Sequence, residues 1–189
     1  MTTPWTITAQ WPGQTVAVLA SGPSLTPALA QRLRLRVHRT IAVNHAHRLA
    51  PWADMLLALD GGWPDEYRHF AGLRVTGVAD ADLDALYIGP RWERVTLSPS
   101  HTVEIRNSGL TAVRVAALMG ARRILLAGFD HASTTAHFYD DGDGLGYPHL
   151  REALAALTAE LHAQGVAVEV VADDVADDVG SQMPAEVTL

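Results

Sequence analysis

Val16-Ala-Val-Leu-Ala-Ser-Gly-Pro-Ser-Leu25 is an apolar run that breaks abruptly into a polar turn, and its reading decides the fold. Residues 15 to 20 are continuously apolar, rich in β-branched side chains and bounded by Gly13 and Gly22. That pattern suits a strand buried on both faces, as strands of parallel sheets are. Ser24 or Thr26 can cap the helix that follows, Pro27 fits its first turn, and Leu25, Leu29, Leu33 and Leu35 supply an apolar face to about Arg36. The unit is therefore strand, tight turn, helix, with a Ser-Gly pair where helix N-terminal amides and the positive dipole end suit an anion such as phosphate.

The same punctuation returns at Asn107-Ser-Gly-Leu110, where Ser108 is expected to cap a helix whose Val113, Ala116, Ala117 and Gly120 form a small-residue face. Between the two turns, Thr40 to Asn44 and Asp54 to Asp60 read as strands that end on polar residues. Trp63 to Phe70 suits one or two helical turns and Leu73 to Val78 another strand, with Leu86 to Gly89 and Arg94 to Leu97 as short strands near an edge. Arg122 to Gly128 is the most apolar strand and is expected at the centre of the sheet. Leu150 to Gln164 is an amphipathic helix closed by Gly165, leading to a last strand at Val166 to Val171. Alternating strands and helices with continuous apolar strands predict an α/β domain, a doubly wound, mostly parallel sheet. The expected division is an N-terminal extension at 1–14, a single domain at 15–171, and an acidic, flexible tail at 172–189.

Composition narrows the chemistry. With 189 residues and 48% hydrophobic content the chain suits one domain with a substantial core. It has no Cys, which excludes disulfides and thiolate nucleophiles, and all fourteen basic residues are Arg, which excludes lysine-dependent phosphate loops and Schiff bases. Up to Arg151 fourteen arginines face thirteen acids, a formal charge of +1, while eight acids and no base follow. A near-neutral body can accept an anion, and an acidic end with no basic stripe argues against nucleic-acid binding. No apolar run approaches the length of a membrane span and the first residues lack the pattern of a secretion signal, so the expectation is a cytoplasmic protein.

In a doubly wound sheet, ligands bind beyond the carboxyl ends of the strands. That rule gathers Ser21, Gly22, Pro23 and Ser24, then Asn44, Asp60 and Asp130, with Asn107, Ser108 and Gly109, as candidate nucleotide-binding residues. Phe129 to Pro148 is long for a loop, and together with the adjoining His149 it holds three His, four Asp and two Tyr. His137 and His149 are the candidate general bases, since imidazole titrates near neutral pH. His45 and His47 read as surface or binding-rim residues. Asp140-Asp-Gly-Asp143 offers carboxylates for Mg²⁺, with Asp60 and Asp130 as better placed ligands; Asp141 belongs to the same turn. There is no HExxH and no G-x-S-x-G, so zinc-peptidase and serine-hydrolase chemistry are not indicated.

Ser21-Gly-Pro-Ser-Leu25, Val43-Asn44, the polar end at Asp60, Asn107-Ser-Gly109 and Ala121 to Asp130 with its closing Gly-x-Asp resemble one Rossmann-like superfamily. It holds the bacterial sialyltransferases of glycosyltransferase family 42, archaeal 6-hydroxymethylpterin diphosphokinase domains and small phage-borne proteins. The resemblance spans about 15 to 171. It implies a transferase using a nucleotide or nucleotide-sugar donor, in which Ser21 to Ser24, Asn44 and Ser108 hold the nucleotide. A His of the long loop acts as base beside tyrosines, a part open here to His137 with Tyr139 and to His149 with Tyr147. The glycosyltransferase reading requires no metal. Two alternatives accompany it: an ATP-dependent pterin-type diphosphokinase holding Mg²⁺ on Asp60, Asp130 or the Asp140–Asp143 turn, and a non-catalytic nucleotide-binding phage accessory protein. The chain departs from the sialyltransferase pattern in having Ser21 in place of Asn and a much shorter segment between the third strand and the Ser-Gly helix.

Overall fold

The computed structural model describes residues 4–59, 63–78, 85–88, 94–98, 101–104, 107–130, 136–139 and 148–172. In chain order the first strand, β1 (Thr15–Leu19), leads through α1 (Pro27–Arg34) to β2 (Arg39–Val43). A short 3-10 helix (Asn44–Arg48) follows directly, then β3 (Met55–Ala58), α2 (Asp65–Arg68), β4 (Leu73–Thr76) and β5 (Leu86–Tyr87). The strands β6 (Arg94–Ser98) and β7 (His101–Glu104) pair with each other, after which come α3 (Ser108–Leu118), β8 (Arg123–Ala127), α4 (Pro148–Ala163) and β9 (Ala167–Val170).

Seven strands form one sheet in the order β5-β4-β3-β2-β1-β8-β9, every neighbouring pair parallel. The chain winds outward from β1 to β5, then returns over the sheet by α3 to place β8 on the other side of β1. This reversal makes the boundary between β1 and β8 the switch point, where the loops leaving two adjacent strands turn apart and open a crevice. Because all seven strands run one way, every strand's carboxyl end lies on the same edge.

Side-chain parity shows why the strands are apolar throughout. Val16 and Val18 of β1, Ile41 and Val43 of β2, and Ile124 and Leu126 of β8 bury into one core, shared with Leu110, Val113 and Ala116 of α3 and Leu157 and Leu161 of α4. Ala17 and Leu19, Ala42, and Leu125 and Ala127 bury into the other, under Leu29, Ala30 and Leu33 of α1, Ala46 of the 3-10 helix and Tyr67 of α2. Both faces of the sheet are covered, giving three layers.

Three expectations are corrected by the tertiary arrangement. Arg122 to Gly128 supplies β8, which is second from the sheet edge: its apolarity reports burial on both faces, which α1 on one side and α3 and α4 on the other provide, not centrality. Arg94 to Leu97 joins the antiparallel pair β6–β7, which stands apart from the main sheet and lies against α4. Ser108 does not cap α3: Asn107 does, its Oδ1 accepting the Leu110 amide at 3.0 Å. At α1 the cap is Thr26, whose Oγ1 accepts the Leu29 amide at 3.0 Å, with Pro27 in the first turn.

Candidate functional site

The turn after β1 is held by the end of β8. Gly22 donates its amide to the Gly128 carbonyl at 2.9 Å, and Ser24 gives both its amide (3.0 Å) and its hydroxyl (2.7 Å) to Asp130 Oδ2. The two loops approach so closely that a Cβ on Gly22 would stand 2.2 Å from that carboxylate oxygen and 2.5 Å from the Gly128 carbonyl. Gly128 itself turns with φ +74°, in the left-handed region that favours glycine. Leu25 returns its amide to the Gly22 carbonyl, closing the turn. The amides and hydroxyl of this turn that suit an anion are thus engaged within the protein, and the anion beside Ser24 is Asp130.

Ser21 ties β1 to β2: buried, it donates its hydroxyl to the Val43 carbonyl at 3.3 Å. The next residue, Asn44, is the one non-glycine with positive φ (50°) among the described residues. Asn tolerates this conformation better than other residues, at a cost that surrounding structure must support. Its carbonyl accepts from His47 Nδ1 at 3.0 Å, which requires a proton on Nδ1. Its side-chain Oδ1 is buried and accepts no hydrogen bond among the described residues. A buried acceptor in that state is costly, by about 1–3 kcal/mol.

Past Asn44, the 3-10 helix carries a cluster that α2 and residues 136–139 complete. Arg48 forks onto Glu66, Nε to Oε2 at 3.0 Å and Nη2 to Oε1 at 2.7 Å. His45 Nε2 stands 3.4 Å from Glu66 Oε1 and His47 Nε2 3.6 Å from Oε2, so three side chains converge on one carboxylate. His45 Nδ1 meets the Tyr67 hydroxyl at 3.3 Å. A carboxylate can only accept, so the consistent assignment puts the His45 proton on Nε2 and lets Nδ1 accept from Tyr67. Burial first, then the Arg48 guanidinium, holds the His45 pKa below the ordinary imidazole value, with Glu66 pulling the other way and His47 and His137 adding to the lowering. The hydrogen bonds from Arg48 hold the Glu66 pKa below the usual carboxylate range.

His137 joins this cluster through Tyr139. The two rings stack at 5.0 Å, within 1° of parallel, and Tyr139 reaches His45 at 4.7 Å with the Arg48 guanidinium 5.4 Å from its centre. Phe138, between them, donates its amide to the Ser21 carbonyl at 3.0 Å, which seats the segment across the end of β1.

The second Ser-Gly turn arrives on the same edge. Ser108 is buried and its Oγ accepts the Leu59 amide, at 3.2 Å, just beyond β3. Gly109 lies against Phe129, whose ring would be 3.1 Å from an added Cβ. Hydrogen bonds and packing therefore link the ends of β1, β2, β3 and β8 through Ser21, Ser24, Ser108, Gly109, Phe129 and Asp130.

Of the residues expected at the site, Ser21, Gly22, Ser24, Asn44, Asn107, Ser108, Gly109, Asp130, His137 and Tyr139 stand on this edge; Pro23 is exposed at the tip of its turn. His149 stands exposed in the first turn of α4, while the ring contacts run through His137. Asp60, Asp140, Asp141, Asp143 and Tyr147 lie outside the described residues. Among the described residues no cluster of three His, Asp or Glu has the arrangement of a metal site, and no helix is long and apolar enough to cross a membrane. The convergence of His45, His47, Arg48, Glu66 and Tyr67 was missed as a site. Its available signal is His45-Ala-His-Arg48 directly after a polar strand end. Compared with protein-family models, curated proteins and solved structures, the chain matches none.

Proposed function

We propose that the protein binds a nucleotide or nucleotide-sugar at the carboxyl edge of its sheet and transfers the donor's glycosyl group to an acceptor hydroxyl. The observation that carries this reading is Asn44: a strained strand-end residue with a buried, unfilled acceptor, beside Ser21 and on the same edge of the sheet as Ser108. Strain of this kind persists where surrounding structure enforces it, and it gathers at ligand sites. A ribose hydroxyl or a base amino group would supply the donor that Asn44 Oδ1 lacks.

His137 is the proposed general base, because its ring stacks on Tyr139, which reaches His45 next to Asn44, and the Phe138 amide between them is tied to the Ser21 carbonyl. In the transfer it takes the acceptor's hydroxyl proton as the new bond from oxygen to the sugar carbon forms. The bond from that carbon to the donor's phosphate oxygen breaks, and the phosphate departs with the electron pair. What favours this reading over a metal-dependent diphosphokinase is the engagement of Asp130: its Oδ2 already accepts two hydrogen bonds from Ser24.

The test is thermal denaturation of the full chain with CMP, UDP, GDP and ATP, each with and without Mg²⁺. A metal-independent rise in Tm with one of them, lost in Asn44→Ala, is expected. A rise only with ATP and Mg²⁺ would favour the diphosphokinase, and no rise with any would remove the basis of the proposal.

A further inference from the structure

The phosphate of such a ligand needs positive charge, and the turn that first suits it is spent. Gly22, Ser24 and Leu25 give their amides to Gly128, Asp130 and Gly22, and Ser21 and Ser24 give their hydroxyls to Val43 and Asp130. Positive charge instead lies one loop away, directly after Asn44, in the Arg48 fork onto the Glu66 carboxylate, which the Nε2 atoms of His45 and His47 also approach.

We infer that Arg48, His45 and His47 form the subsite for the ligand's phosphate, and that the Glu66 carboxylate is a resident oxyanion which the phosphate displaces. The inference rests on the nucleotide reading above and names the residues that would hold its anionic part. Carboxylate and phosphate present similar oxygen pairs to a guanidinium, and Arg binds either through two parallel N–H···O bonds. A phosphate adds a third oxygen and a second charge, so it can engage the fork and both imidazoles more fully than Glu66 does.

Displacement is inexpensive. The side chains of Arg48 and Glu66 are 44% and 33% exposed, so water hydrates the carboxylate as it leaves and screens the pair it breaks. Glu66 also sits on the four-residue α2, so its side chain leaves without unpacking a long element. Tyr139 stacks on His137 and lies 5.4 Å from the Arg48 guanidinium, so a phosphate on that guanidinium would sit near the proposed base. The groups that face His45 are Arg48 and His47 on its own helix, Glu66 and Tyr67 on α2, and His137 and Tyr139 from 136–139. A bound dianion outweighs the cations among them and favours a protonated His45.

The experiment is calorimetric titration of the full chain with inorganic pyrophosphate, with CMP and the other nucleotides above, and with sulfate, whose charge does not change between pH 5.5 and 7.5. Glu66→Gln removes the competing charge at nearly constant size. It should tighten pyrophosphate by roughly two- to tenfold, the range a surface ion-pair network supports. Arg48→Gln should weaken it by at least about tenfold, and wild-type affinity for sulfate should rise from pH 7.5 to 5.5. If Arg48→Gln melts too low to titrate, Glu66→Gln and the pH series carry the test. Unchanged or weaker pyrophosphate binding by Glu66→Gln overturns the inference. Should a nucleotide still bind and be lost with Asn44→Ala in that case, the proposed function stands and only the phosphate subsite falls. Absence of binding by every nucleotide and by pyrophosphate removes both.

Discussion

Gly22→Ala is the substitution that most severely tests the junction between β1 and β8. The new Cβ would meet Asp130 Oδ2 at 2.2 Å, the Gly128 carbonyl oxygen at 2.5 Å and Asp130 Cβ at 2.9 Å. The carboxylate can rotate away, but only by abandoning the amide and hydroxyl of Ser24. The carbonyl cannot retreat without stretching its bond from the Gly22 amide, so the strand ends must separate. Overpacking of this kind costs about 1–3 kcal/mol. Losing hydrogen bonds to a charged acceptor adds about 1.5–3 kcal/mol, less than fully additively because the same movement causes both. The sum, roughly 3–5 kcal/mol, corresponds at this chain length to a fall in Tm of about 6–20 °C. Circular-dichroism melts of the wild type, Gly22→Ala, Asp130→Ala and the double variant read it. The double variant should lose less than the sum of the singles, since Ala at 130 keeps its Cβ but removes the carboxylate oxygen that stands closest to the new methyl and the hydrogen bonds it accepts from Ser24. A Gly22→Ala melt within about 1 °C of wild type, or strict additivity, would refute the close approach.

Other consequences are smaller and separable. Asn107→Ala removes the cap of α3 and should cost about 1 kcal/mol in urea unfolding, whereas Asn107→Asp or Asn107→Ser should retain most of it. Ser108→Ala leaves the Leu59 amide without its acceptor and should cost about 1–3 kcal/mol, with faster amide exchange at Leu59. For His45, the unfolded chain takes up its proton near the model-peptide value of 6.5, while the folded chain does so only at lower pH. Stability is therefore undiminished above about pH 6.5 and declines as the pH falls below it, until the folded pKa is passed. His45→Phe should flatten that limb, and an NMR titration of the ring should give a midpoint below 6.5.

The sheet was readable because each strand is apolar on both faces, and parity then assigns Val16 and Val18 to one core and Ala17 and Leu19 to the other. The start of α1 was narrowed to Ser24 or Thr26 before Pro27, and helix ends were readable where a glycine turns left-handed, as at Gly120 and Gly165. The start of α3 was not. Asn107 and Ser108 are both good caps, and the choice between them follows from the Leu59 amide, which takes the Ser108 hydroxyl from 49 residues away. Nor does the local pattern of 94–98 reveal which sheet it joins, because strand propensity carries no information about partner. At the site, the residues after each strand were legible from the carboxyl-edge rule. The Asp130 clasp on Ser24 was not, since it joins residues 106 apart. His45 and His47 gain their meaning only when α2 brings Glu66 and Tyr67 against them.

Ser21, Asn44 and Ser108 are proposed to serve one ligand along one edge of the sheet. Amide NMR of the full chain during titration with CMP, UDP, GDP and ATP tests it directly. With one of them the signals of Ser21, Asn44, His45, Ser108 and Phe138 should shift together at a common midpoint. Shifts confined to the amino-terminal ends of the strands, or none with any of the four, would contradict it.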